Sequence, residues 1–162
     1  MIYPVDSANQ RLNNRGLDDL QDPSCQMPGA KLRPVRLPRG CNSIVVGTLY
    51  HPPSASDPAL MEYLIKCLLT IESCYPNCGI LFAGDFNRLQ ITCIRNNFQL
   101  KQIVHFPTRG RRTLDLIFTN ISEYYQDPIK RPPFGISDHA SIELQPKERA
   151  HVKQPTDRKS VV

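Results

Sequence analysis

The chain has 162 residues, 40% of them hydrophobic, with 15 prolines and a formal charge of +5. That suits one domain of ordinary size carrying much loop, and no apolar run is long enough to span a bilayer as a helix. A pI near 9.0 permits a polyanionic partner without demanding one, because many solvated surfaces are basic.

Residues 1–30 are polar, with almost nothing to bury, and read as a disordered leader. Residues 31–40 alternate basic and apolar side chains. Their prolines allow only an edge strand, followed by a turn at Arg39 and Gly40. Ser43 to Tyr50 is β-branched and apolar, a strand stopped by His51-Pro52-Pro53. Asp57 and Pro58 then open a helix, with Asp57 expected as N-cap and Pro58 at the first helical position. Leu60, Leu64, Cys67, Leu68 and Ile71 share one face of it, and Glu62 and Lys66 pair on another. The helix should stop near Ser73, before Pro76.

Residues 80–83 form the next strand, and Gly84-Asp85-Phe86-Asn87 leaves its end. Residues 89–96 suit a short helix and 100–106 a weak strand. Residues 107–112 are a basic loop, 113–119 a strand, 127–135 a Pro-rich loop and 140–144 a short last strand. The tail, 147–162, is polar and is expected to be disordered. One domain over residues 31–146 is the expected organisation.

Six cysteines raise the question of compartment. The first residues lack a basic stretch followed by an apolar one, so no secretory signal is visible. An intracellular location, nuclear or cytoplasmic and not secreted, is expected, with cysteines as small apolar packers. Cys74 and Cys78 are spaced like half a zinc site, but no second pair follows at ligand spacing.

The chemistry concentrates at strand ends. Asp85 and Asn87 are two apart in an extended segment, so both point to one face. A carboxylate there can activate water, and an amide can hold a phosphate oxygen. Taken alone, Gly-Asp-x-Asn is also ordinary turn chemistry. Asp115 is harder to explain structurally, because it interrupts the apolar run Leu114 to Phe118. An unpaired carboxylate there would be unfavourable by several kcal/mol, on the order of the penalty for a buried ion. A cationic or hydrogen-bond-donating partner is required.

Tyr50-His51-Pro52-Pro53, Gly84-Asp85-Phe86-Asn87, Pro107-Thr108-Arg109-Gly110, Leu114-Asp115 and Ser137-Asp138-His139 occur in that order. Together they resemble the endonuclease/exonuclease/phosphatase superfamily, and within it the endonuclease domain of non-LTR (LINE-type) retrotransposons, over about residues 31–146. The resemblance implies an α/β fold, the DNase I-like four-layer αββα sandwich, here as an incomplete C-terminal portion. It implies divalent-metal-dependent phosphodiester hydrolysis using Mg²⁺ or Mn²⁺, with DNA as partner, no membrane, and a reverse transcriptase domain in the parent element.

Roles follow residue by residue from that resemblance. Asp85 matches the acid that orients or deprotonates water, and Asn87 the amide on the scissile phosphate. His139 matches the histidine that stabilises the transition-state charge, and Asp115 the acid paired with it. Asp138 matches a metal-proximal acid. Tyr50, Thr108 and Ser137 match phosphate-contacting or supporting positions. The loop carrying Arg109, Arg111 and Arg112 would run along the phosphate backbone.

The family's first half supplies an Asn and a metal-binding Glu at two earlier strand ends. Residues 1–30 contain no glutamate and no strand pattern. Two expectations follow: impaired catalysis, and a bare apolar sheet face where a partner sheet would pack. Nucleic-acid binding without cleavage, and phosphatase action on phosphoesters, are the alternative functions.

Overall fold

The computed structural model describes residues 29–34 and 37–148; the expected leader and tail lie almost wholly outside them. In chain order come β1 (Gly29–Leu32), β2 (Ser43–Tyr50), α1 (Asp57–Cys74), β3 (Cys78–Asp85), α2 (Thr92–Asn97), β4 (Lys101–Gln102), β5 (Asp115–Thr119), a 3-10 turn (Ser122–Tyr124), β6 (Ile129–Pro133) and β7 (Ala140–Glu143). Five strands make one mixed sheet in the order β1-β2-β3-β5-β4, and β6 pairs with β7 in a second sheet. The β2 and β3 strands run parallel, which requires a long crossover, and α1 provides it. The other pairings, including β6 with β7, are antiparallel.

Strand alternation divides the core into two layers. Val45 and Leu49 of β2, Ile80 and Phe82 of β3 and Phe118 of β5 pack with α1, which buries Leu60, Leu64, Cys67, Leu68 and Ile71 as its spacing predicts. Phe86 completes this layer, with edge-to-face contacts to Phe82 and Phe118 at centroid distances of 5.6 and 5.2 Å. Ile44, Leu81, Ala83 and Ile117 point to the opposite face.

That face was expected to be bare, and it is buried. Ile142 and Leu144, from β7 and just beyond it, pack on it together with Val104 and Ile121. A C-terminal hairpin therefore covers the face that the resemblance implied would lack a partner sheet.

Three local expectations are corrected. The helix N-cap is Ser56, whose hydroxyl accepts the Ala59 N–H at 3.5 Å, so Asp57 is the first helical residue. The Pro-rich segment is not all loop: Ile129–Pro133 is a strand, tolerated because it pairs only with β7 and its register shifts between Arg131 and Pro133. The weak strand at 100–106 shrinks to Lys101–Gln102. Cys41, Cys67, Cys74, Cys78 and Cys93 are in no disulfide; Cys67 and Cys78 are buried packers, whereas Cys74 and Cys93 are exposed, and Cys25 lies outside the described residues. Among the described residues no helix is long and apolar enough to cross a membrane.

Candidate active site

The row Leu81, Ala83, Asp85 on β3 runs antiparallel to Asp115, Ile117, Thr119 on β5, and Asp85 and Asp115 are direct cross-strand partners. Both rows are buried at one end and acidic at the other. Two like charges so placed repel, which the surrounding loops must offset. Tyr50, at the end of β2, is the partner of Asp85 on its other side and is 59% exposed.

Asp115 has the partner that its position in an apolar strand requires. Its Oδ2 lies 2.8 Å from His139 Nδ1. A carboxylate only accepts, so Nδ1 carries the hydrogen and Nε2 is turned away from Asp115. Nε2 stands 3.9 Å from Asp138 Oδ1. Ser137 Oγ accepts the His139 backbone N–H at 3.1 Å and so shapes the turn that presents the ring.

Asp85 Oδ1 accepts the Asn87 backbone N–H at 3.0 Å. Asn87 has φ of +48°, a left-handed conformation that asparagine tolerates better than most residues. Its Nδ2 donates to the His51 carbonyl at 2.7 Å. Burial pushes the Asp85 carboxyl above its ordinary value of 3.8, opposed by the Asn87 N–H, raised further by the Asp115 charge, and offset in part by His139 and Arg109. Below pH 3.8 the carboxyl is protonated whether the chain is folded or not, and its contribution to stability is intact; that contribution is lost as pH rises through the folded-state value. Asp85→Asn should therefore melt higher than wild type at pH 7, by about 1–2 °C given solvent screening. The gain should vanish in strong acid, and thermal melts across pH measure it.

Of the two roles the resemblance offers Thr108, phosphate contact or support, its position in the structure suits support. It is 2% exposed, and its hydroxyl accepts the N–H groups of Leu114 and Asp115 at 3.0 and 3.1 Å. Its carbonyl takes the Ala140 N–H at 2.7 Å, tying the start of β7 to the basic loop. Thr108 is scaffold for Asp115 and His139.

Asp138 was matched to a metal ligand. Its Oδ2 instead accepts from Arg109 Nε at 2.7 Å, and among the described residues no three His, Cys, Asp or Glu side chains are grouped to hold a metal ion. Mg²⁺ is commonly held by one or two carboxylates together with water and phosphate, and Asp138 is the residue here that would offer one. Arg109 was matched to a DNA contact and is engaged with Asp138 here. Arg111 and Arg112 are exposed. They line an open cleft with Asn87, Arg88, Arg109 and Asp138.

Three residues at the site escaped the sequence reading. Arg88 adds a fourth guanidinium to the cleft. His51, expected to be structural or exposed, is fully buried, and its Nε2 lies 2.9 Å from Asp57 Oδ1. Asp57 had been read only as a helix cap. The signal for Arg88 was its adjacency to Asn87; nothing in one sequence linked residues 51 and 57.

No protein-family model matches this chain, and no curated protein matches it in sequence. In structure it is similar to the endonuclease domain of TRAS1, a telomere-specific non-LTR retrotransposon, with a TM-score of 0.59 and 12% sequence identity, over 76% of this chain and 64% of that one. The likeness establishes a DNase I-like mixed α/β fold. The chain spans less than two thirds of that domain's length.

Proposed function

We propose that the site serves phosphodiester hydrolysis in nucleic acid, of the type carried by retrotransposon endonucleases. One observation supports this above the rest: Asp85, Asn87 and the Asp115–His139 pair gather at one corner of the sheet, beside a cleft with four arginines.

The chain's own groups divide the work. Arginines along the cleft hold the phosphate backbone by charge, without reading sequence. Asp85, with its proton affinity raised by burial, takes a proton from the attacking water through Oδ2, since Oδ1 already holds the Asn87 N–H. The second amide hydrogen of Asn87 is available to a phosphate oxygen. When protonated, His139 donates from Nε2 to the charge that develops on the phosphorane, while Asp115 fixes the ring from behind. A divalent cation, Mg²⁺ or Mn²⁺ by the resemblance, would be held through Asp138 and would neutralise charge on the phosphate; no step here is routed through it.

A second reading, binding without cleavage, is favoured by the Arg109–Asp138 ion pair, which neutralises an acid expected to face a metal. Nicking of supercoiled plasmid, with and without Mg²⁺, separates the two. The hydrolytic reading expects slow nicking that falls about 100-fold or more in Asp85→Ala, the scale of a lost general base. Equal rates in both proteins, with salt-sensitive duplex binding retained, would leave binding alone. Hydrolysis of a phosphomonoester but not of DNA would point to a phosphatase.

A further inference from the structure

A second histidine–carboxylate pair stands behind the site. His51 follows the last residue of β2, and its main chain is clamped on both sides: its N–H donates to the Asp85 carbonyl at 2.9 Å, and its own carbonyl accepts from Asn87 Nδ2 at 2.7 Å. Its ring is fully buried. Nε2 donates to Asp57 Oδ1 at 2.9 Å, while Nδ1 is buried with no hydrogen-bond partner among the described residues. Asp57 Oδ1 also lies 3.8 Å from Arg88 Nε, on the residue after Asn87.

The stretch 85–88 is thus held at each end by one unit made of His51 and Asp57. A ring chosen only to fill space would be apolar, since burying a nitrogen without a partner is unfavourable. What the imidazole adds is direction. Its single bond to Asp57, at the first turn of α1, fixes the rotation of residue 51 and hence the aim of the carbonyl that Asn87 depends on. Asn87 needs such a hold, because its backbone is left-handed and its amide must present one hydrogen outward while the other is tied back.

We infer that His51 and Asp57 form a positioning pair that orients the Asn87 amide toward an incoming phosphate. The role of Asn87 as a phosphate group rests on the proposed function; the coupling of residues 51, 57 and 87 does not, and is tested without catalysis. The measurement is NMR of the Asn87 side-chain amide in the full chain, with the Asn120 amide, bonded to the Cys78 carbonyl, as a remote reference.

Hydrogen exchange at Asn87 Nδ2 should be about fivefold faster or more in His51→Asn and in Asp57→Ala, the effect of losing one ordinary hydrogen bond. Asn120 should be unmoved. His51→Gln, whose amide nitrogen reaches the place of Nε2, should restore slow exchange. Should His51→Asn fail to fold, Asp57→Ala carries the test on a partly exposed side chain. Unchanged Asn87 exchange in Asp57→Ala, or equal shifts at Asn87 and Asn120, would overturn the inference. A chain that nicks no DNA but shows the coupling would sink the hydrolytic reading and leave the positioning pair standing.

Discussion

Gly84→Ala should abolish cooperative folding. A Cβ on Gly84 would sit 1.8 Å from the Leu49 carbonyl oxygen and under 3 Å from two more atoms of the same backbone. Those atoms belong to the central strand β2, which pairs with β3 over eight positions, so no rotamer change relieves the clash. Replacing glycine by alanine ordinarily stabilises by about 0.4–1 kcal/mol where the backbone tolerates it. Here separation of the strands outweighs that gain, with an expected loss on the order of 4 kcal/mol or more. Gly110→Ala is the control: φ is +55°, but nothing lies within 4 Å, so only backbone strain of about 1–2 kcal/mol remains. Urea unfolding of both variants checks the contrast. Similar midpoints would mean that the β2–β3 spacing is not as described.

The second large effect concerns the cleft. Replacing Arg88, Arg111 and Arg112 together by alanine should weaken duplex DNA binding on the order of 10²-fold near 0.1 M salt. The slope of log affinity against log salt should become shallower by about 2.7, at 0.9 per phosphate contact. Arg109 is left in place because its Nε is bonded to Asp138. The three chosen residues are exposed and line the cleft, so the variant should melt close to wild type. The loss of Arg88 beside Asp57, at 3.8 Å and half solvated, changes stability little. Fluorescence anisotropy at several salt concentrations gives both numbers. An unchanged slope would place the nucleic acid elsewhere.

Much of this was readable from residue order. The apolar face of α1 follows helical spacing, and burial agrees at each of its five positions. The demand of Asp115 for a partner followed from one charge in an apolar strand, and His139 meets it. Other features were hidden for physical reasons. Proline lowers strand propensity locally, yet β6 tolerates it because tertiary pairing with β7 outweighs the penalty. Cover for the second sheet face came from Ile142 and Leu144, in a segment too short to announce its own packing. The Arg109–Asp138 bond joins loops 29 residues apart, and long side chains in loops have no periodicity from which such a meeting could be read. The burial of His51 follows from the turn after β2 folding back beneath the Asp85–Asn87 loop, a matter of path rather than composition.

The topology also separates framework from chemistry in time. The β2–α1–β3 unit is contiguous, from Ser43 to Asp85, and packs α1 on its own two strands, with Phe86 and Phe118 completing that layer from later in the chain. Thr108, Asp115 and His139 all lie downstream. A chain emerging from the ribosome can thus assemble a βαβ platform while its reactive corner does not yet exist. Damage to the last third of the molecule should leave the corner unformed and the platform uncovered, short of Phe118 on one face and of Ile142 and Leu144 on the other.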